Sequence, residues 1–123
     1  MRRMAIFVAA AVAGLVLATS ASTMAVTKLA GTVGGGSDGN AFKIALTKGG
    51  KKVTQLKAGK YTFAVTDKAS IHNFHVQGPG VNKDLTGVSF VGKKTITLKL
   101  KKGKYTYFCV PHAATLKGSF RVV

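Results

Sequence analysis

From Phe42 to the last residue, apolar side chains recur at every second position instead of at the three- and four-residue spacing of a helix face. Phe42, Ile44 and Leu46 are separated by Lys43 and Ala45, and the alternation returns in Tyr61, Phe63 and Val65 and in Phe74 and Val76. It appears again in Ile96, Leu98 and Leu100, in Tyr105 and Tyr107, and in Phe120 and Val122. Side chains two apart point to the same side of a strand, so each run predicts a strand with one face turned inward. Glycine-bearing turn signals, "KGGKK", "KAGK", "QGPG" and "KKGK", separate the runs. With no amphipathic helix pattern among them, the chain is expected to form an antiparallel β-sandwich or small barrel. The segment from Gly78 to Gly92 alternates least and is expected to hold a loop or one helical turn.

The N-terminal stretch lies outside this pattern. Arg2 and Arg3 precede an apolar run from Ala5 to Ala18 and then the small, polar segment "TSASTMA", the layout of a secretory signal peptide. Such a run falls short of the roughly 20 residues that span a bilayer, which disfavours the alternative of an uncleaved anchor. Cleavage after Ala21 or Ala25 satisfies the preference for small residues, and no cysteine follows the run to carry a lipid. The expected organisation is a signal peptide over 1–25, a short strand and glycine-rich turn over 26–41, and one domain over 42–123. The protein is then exported, to a periplasm, the medium or the cell surface, and its mature form is not expected to span a membrane.

The chain is strongly basic, with net charge +16 and only Asp38, Asp67 and Asp84 as acids. Nucleic acid is not the expected partner, because export removes most of it and the lysines do not form one run with aromatics between them. They alternate with apolar residues, as in "TITLKLKKGKY", which suits solvated strand faces that resist edge-to-edge pairing. A dedicated patch for anionic surfaces is the competing reading.

A single cysteine in an exported chain cannot close an internal disulfide. Cys109 shares a strand face with Tyr105 and Tyr107, which places its sulfur at the end of the core, and His112 follows across Pro111. Thiolate and imidazole are both good copper ligands, and Cys-x-x-His lets one tight loop offer both to one ion. The bland alternative is a buried structural cysteine with a histidine nearby. His72 and His75 are the remaining histidines. His72 is in phase with Phe74 and Val76 and so is expected inward, while His75 shares the other face with Asn73. A β-bulge would reverse that choice.

The early "IHNF", the late "YFCVPH" and the closing "LKGSFRVV", in this order and with strands between them, resemble the plastocyanin/azurin family of cupredoxins, the small blue-copper proteins. The resemblance runs from about Phe42 to Val123. It implies an antiparallel Greek-key β-sandwich, one copper ion in a type 1 site, and His72, Cys109 and His112 as equatorial ligands. It further implies that Asn73 hydrogen-bonds across to the loop after Cys109. Val110, Pro111, Ala113 and Ala114 would form an apolar patch around His112 through which electrons reach a protein redox partner, one with acidic surface being attracted by the lysines. The protein is expected to act as a monomer. Many relatives carry methionine just before "KG", where this chain has Leu116, which offers no donor atom. The implied function is one-electron transfer, with copper delivery or a structural module on anionic surfaces as alternatives. Catalysis is not expected, since copper enzymes need further histidine-rich sites and this chain has three histidines.

Overall fold

The computed structural model describes Gly14 and residues 26–123, so the signal peptide expected over 1–25 and its cleavage lie outside the described residues. Ten strands follow in chain order. They are β1 (Thr27–Val33), β2 (Ile44–Lys48), β3 (Lys51–Lys52), β4 (Gln55–Leu56), β5 (Gly59–Asp67), β6 (His75–Gly78), β7 (Val81–Asp84), β8 (Gly92–Leu100), β9 (Gly103–Phe108) and β10 (Lys117–Val122). One 3-10 turn, Val110–His112, stands between β9 and β10.

The strands form two five-stranded sheets, ordered β3-β2-β1-β5-β8 and β4-β10-β9-β6-β7. This is the β-sandwich that the alternation predicts. Pairing is antiparallel except for β1 with β5 and β4 with β10. The short first strand is interior to its sheet: Leu29 lies beside Phe63 and Val33 beside Asp67, with β2 on the other flank.

The inner faces interdigitate around Leu29, Leu46, Phe63, Phe74, Val76, Tyr105 and Tyr107, all with essentially no exposed surface. Tyr105 stacks on Phe120 with ring centroids 5.3 Å apart, and Phe74 on Tyr107 at 5.5 Å. Each such buried side chain contributes about 2–3 kcal/mol of transfer free energy, and the aromatic contacts add to it. The rings need room at the backbone. A Cβ on Gly78 would collide with the Tyr105 ring and one on Gly118 with the Tyr107 ring. The Tyr105 hydroxyl accepts from the Lys101 amide at 2.9 Å and can donate to Pro79 O at 3.1 Å, so its polar end is satisfied.

Two local expectations are corrected. Phe42 is not in a strand: β2 begins at Ile44, where pairing with Val33 starts, and Phe42 is 58% exposed. The Gly78–Gly92 segment contains a strand, β7, hairpinned onto β6 from Gly78↔Val81 to His75↔Asp84. Its residues Asn82, Lys83 and Asp84 are exposed, because an edge strand need not alternate.

Candidate metal centre

Three chain segments meet at one end of the sandwich: the stretch after β5, the end of β9, and the turn leading into β10. The Asp67 carboxylate accepts from the Ala69 amide at 3.0 Å and turns the chain out of β5. His72, Asn73 and Phe74 then run between the sheets, all three buried, before β6 begins at His75. Strict alternation therefore fails there, although the inward position it gave His72 is the one observed.

Cys109 lies at the end of β9 and has no exposed surface. The His112 amide donates to Cys109 O at 3.1 Å, and this tight turn brings the histidine back beside the sulfur. The loop is closed by the Cys109 amide donating to Leu116 O at 3.0 Å and the Leu116 amide donating to His112 O at 2.9 Å.

The resulting donor atoms converge. His72 Nδ1 faces His112 Nδ1 at 3.0 Å, and Cys109 Sγ lies 3.6 Å from each. The centre of that triangle is about 2 Å from every corner, close to the roughly 2.0–2.3 Å that divalent metal–imidazole and metal–thiolate bonds take. Two imidazole nitrogens so close repel through their lone pairs unless a proton or a cation stands between them. His72 Nε2 donates to Asn40 O at 3.2 Å, which fixes the ring proton there and leaves Nδ1 free as a donor to metal. Among the described residues this is the group of histidine, cysteine and acidic side chains that can hold an ion. His75 is not part of it.

A hydrogen-bonded brace ties the segments together. Asn73 Oδ1 accepts from the Val110 amide at 2.7 Å, and Asn73 Nδ2 donates to Asp84 Oδ1 at 2.9 Å. The same carboxylate takes His75 Nδ1 at 2.6 Å, while His75 Nε2 meets Asn82 Oδ1 at 2.6 Å. His75 is thus a half-buried, hydrogen-bonded residue of the β6–β7 hairpin. On the other side, Asn40 sits at the end of the glycine-rich loop, where Gly35 donates to Gly39 O at 2.9 Å and Ala41 to Gly35 O at 3.0 Å. Gly34, at φ +82°, has no room for a side chain against Gly39 O and Ala69.

Burial shapes the electrostatics. Asp67 is 1% exposed and its Oδ2 has no hydrogen-bond partner. Desolvation pushes its carboxyl above the ordinary 3.8, opposed by Thr86, the Ala69 amide and the nearby His72. Toward solvent, the half-buried His112 is ringed by apolar groups. Phe42 meets the His72 and His112 rings edge-on at 4.7 and 4.8 Å, and Val110, Pro111, Ala113 and Ala114 are exposed beside it. Leu116 is buried at 3% exposure. Sequence reasoning missed Asn40, Phe42 and Asp84 as neighbours of the site. None of the three carries a local signal of that role, which each takes from contacts made across the fold.

Two stacked sheets holding a cysteine and two histidines at one end define the cupredoxin class, and the donor set fits a single type 1 copper site. The chain resembles the blue copper proteins in both respects. No protein-family model matches the sequence, and neither does any curated protein. Among solved structures it is similar to rusticyanin variants that include a methionine-to-leucine replacement, at 26% identity over 78% of this chain and 76% of that chain, with a TM-score of 0.53. It is similar in fold to the copper protein rusticyanin at 20% identity, 78% and 76% coverage and a TM-score of 0.51. A laccase from Pediococcus acidilactici shares the fold at 17% identity and a TM-score of 0.52, over 81% of this chain but 27% of the laccase.

Proposed function

We propose that this protein is an exported one-electron carrier, with His72, Cys109 and His112 as the equatorial ligands of one copper ion and residues 42–123, completed by β1, as its working domain. The observation that carries the reading is the triangle of two Nδ1 atoms and one Sγ, with sides of 3.0, 3.6 and 3.6 Å. Bound copper supplies a Cu(II)/Cu(I) couple that takes up or releases one electron and turns over no substrate. The chain supplies the rest. The thiolate of Cys109 and the two rings are held by the brace through Asn73 and by Asn40 O, so the donors need not move between oxidation states. His112 reaches the apolar rim and gives a protein redox partner, one with acidic surface, its shortest path to the site. The carrier acts as a monomer and is delivered by its N-terminal signal to the periplasm, the medium or the cell surface.

Titrating Cu(II) into the purified protein should raise a strong thiolate-to-copper charge-transfer band in the red, absent in Cys109→Ser, and the bound ion should cycle reversibly at one potential. A colourless protein that still binds copper rules the carrier out. A second reading, a copper-holding or delivery protein, is favoured by Leu116 alone, since a site without a thioether donor stabilises Cu(I). In a carrier, Leu116→Met lowers the potential and leaves cycling intact. A wild-type site that cannot be reoxidised supports delivery instead.

A further inference from the structure

The charge of this chain is segregated by the fold. All three acids stand in the metal-bearing half: Asp67 at the end of β5, Asp84 at the end of β7, and Asp38 in the loop that carries Asn40. The opposite pole is built from the starts of β1, β5 and β9 and the ends of β2, β8 and β10. It holds an open cleft of about 1130 Å³ whose rim carries Lys48, Lys57, Lys60 and Lys99 and whose apolar surface includes Leu56 and Val123. Lys51, Lys101, Lys102 and Lys104 stand at strand ends and turns of the same pole, all exposed.

Protection of sheet edges accounts for Lys51 on β3 and for Lys93, Lys94 and Lys99 on β8, but not for the rest of this cluster. Lys57, Lys101 and Lys102 are in turns, and Lys60 and Lys104 begin strands that are interior to their sheets. We propose that this pole docks on an anionic phospholipid bilayer, with the lysine ammonium groups on lipid phosphates and the metal end turned away.

Three observations select lipid over other polyanions. Lysine dominates the pole, with Arg121 as the one arginine among the described residues, and a flexible point charge suits mobile headgroups better than the fixed edge of a base or a carboxylate. Apolar surface lies directly beneath the ammonium groups, so their stems can bury against it while the charges stay at the headgroups. Val26, the residue that follows the expected leader, lines the same cleft, so a leader held in a membrane before its cleavage would tether the chain at this pole. The nine residues of β5, at about 3.3 Å each, hold the metal end about 30 Å from the lipid, open to a partner in solution.

The test is partitioning of the full chain onto vesicles, read as the ratio of affinity for phosphatidylglycerol/phosphatidylcholine over phosphatidylcholine alone, so that the leader's own apolar partitioning cancels. Each lysine at a lipid surface is worth about five-fold, so replacing Lys48, Lys57, Lys60 and Lys99 together by glutamine should lower the ratio several hundred-fold. Glutamine at Lys43, Lys68, Lys93 and Lys94 removes the same charge elsewhere and should change it only a few-fold, and added salt should weaken wild-type binding. Equal losses in the two variants overturn the proposal, as does a wild-type ratio near one. Tighter binding to duplex DNA or to polyglutamate than to the anionic vesicles at matched charge also overturns it. Cys109→Ser should behave as wild type, so the outcome stands apart from the copper reading.

Discussion

Replacing Asn73 by alanine should loosen the metal end of the protein without touching a ligand. Asn73 is 1% exposed and spends both ends of its amide on the brace, accepting from the Val110 amide at 2.7 Å and donating to Asp84 at 2.9 Å. Alanine leaves the Val110 amide without its acceptor in a partly buried position, a loss of about 1–3 kcal/mol. The Asp84 carboxylate is exposed and recovers water, so that half of the loss is at most about 1 kcal/mol. A total of about 2–3 kcal/mol follows. With a urea dependence of about 1 kcal/mol per molar for a domain this small, the midpoint of metal-free protein should fall by about 2–3 M. Asp84→Asn keeps the Val110 bond and should cost less than half as much. Loss of the brace should also weaken copper binding about 10- to 100-fold, as removal of a group supporting a metal ligand does. A midpoint within about 0.5 M of wild type, or equal losses in the two variants, refutes the idea that the Asn73–Val110 bond holds the two segments together.

Gly118→Ala must displace the Tyr107 ring and should cost about 1–3 kcal/mol in thermal unfolding, whereas Gly35→Ala, which meets nothing within 4 Å, loses only through its φ of +130°. An unchanged melting temperature in Gly118→Ala would mean the ring has room to move. For Asp67 the folded carboxyl holds its proton more tightly than the unfolded one, so its ionisation lowers stability as pH rises from the ordinary carboxylate range through its raised value. Metal-free Asp67→Asn should therefore be more stable than wild type near pH 7 and lose that advantage below the ordinary carboxylate range. A wild-type advantage at pH 7 would contradict the sign.

Alternation in the sequence located most strands because their residues face a core on one side and water on the other. Tyr105, Tyr107 and Cys109 are the clearest case, buried in step along β9. The pattern failed where a segment is enclosed on all sides or on none. His72, Asn73 and Phe74 are consecutive and all buried because they cross between the sheets, and Asn82, Lys83 and Asp84 are all exposed at an edge. Phe42 looked like the first inward residue of a strand, but it caps the two histidine rings from outside. Asn40 and Asp84 were invisible for a different reason. Their roles depend on contacts to His72 and Asn73 that the fold creates across 32 and 11 residues, and no local signal encodes them.

The complete burial of Cys109 has a chemical consequence beyond holding an ion. In an oxidising medium a lone thiol is open to capture by another chain's disulfide or to stepwise oxidation to sulfenic and sulfinic acids, and both begin with attack by the sulfur on a reagent that has reached it. With no exposed surface on Cys109 and His112 standing beside its sulfur, such attack requires the 109–116 loop to open first. The shelf life of the thiol is then set by the rate at which that loop opens, so the hydrogen bonds that close it also act as an antioxidant.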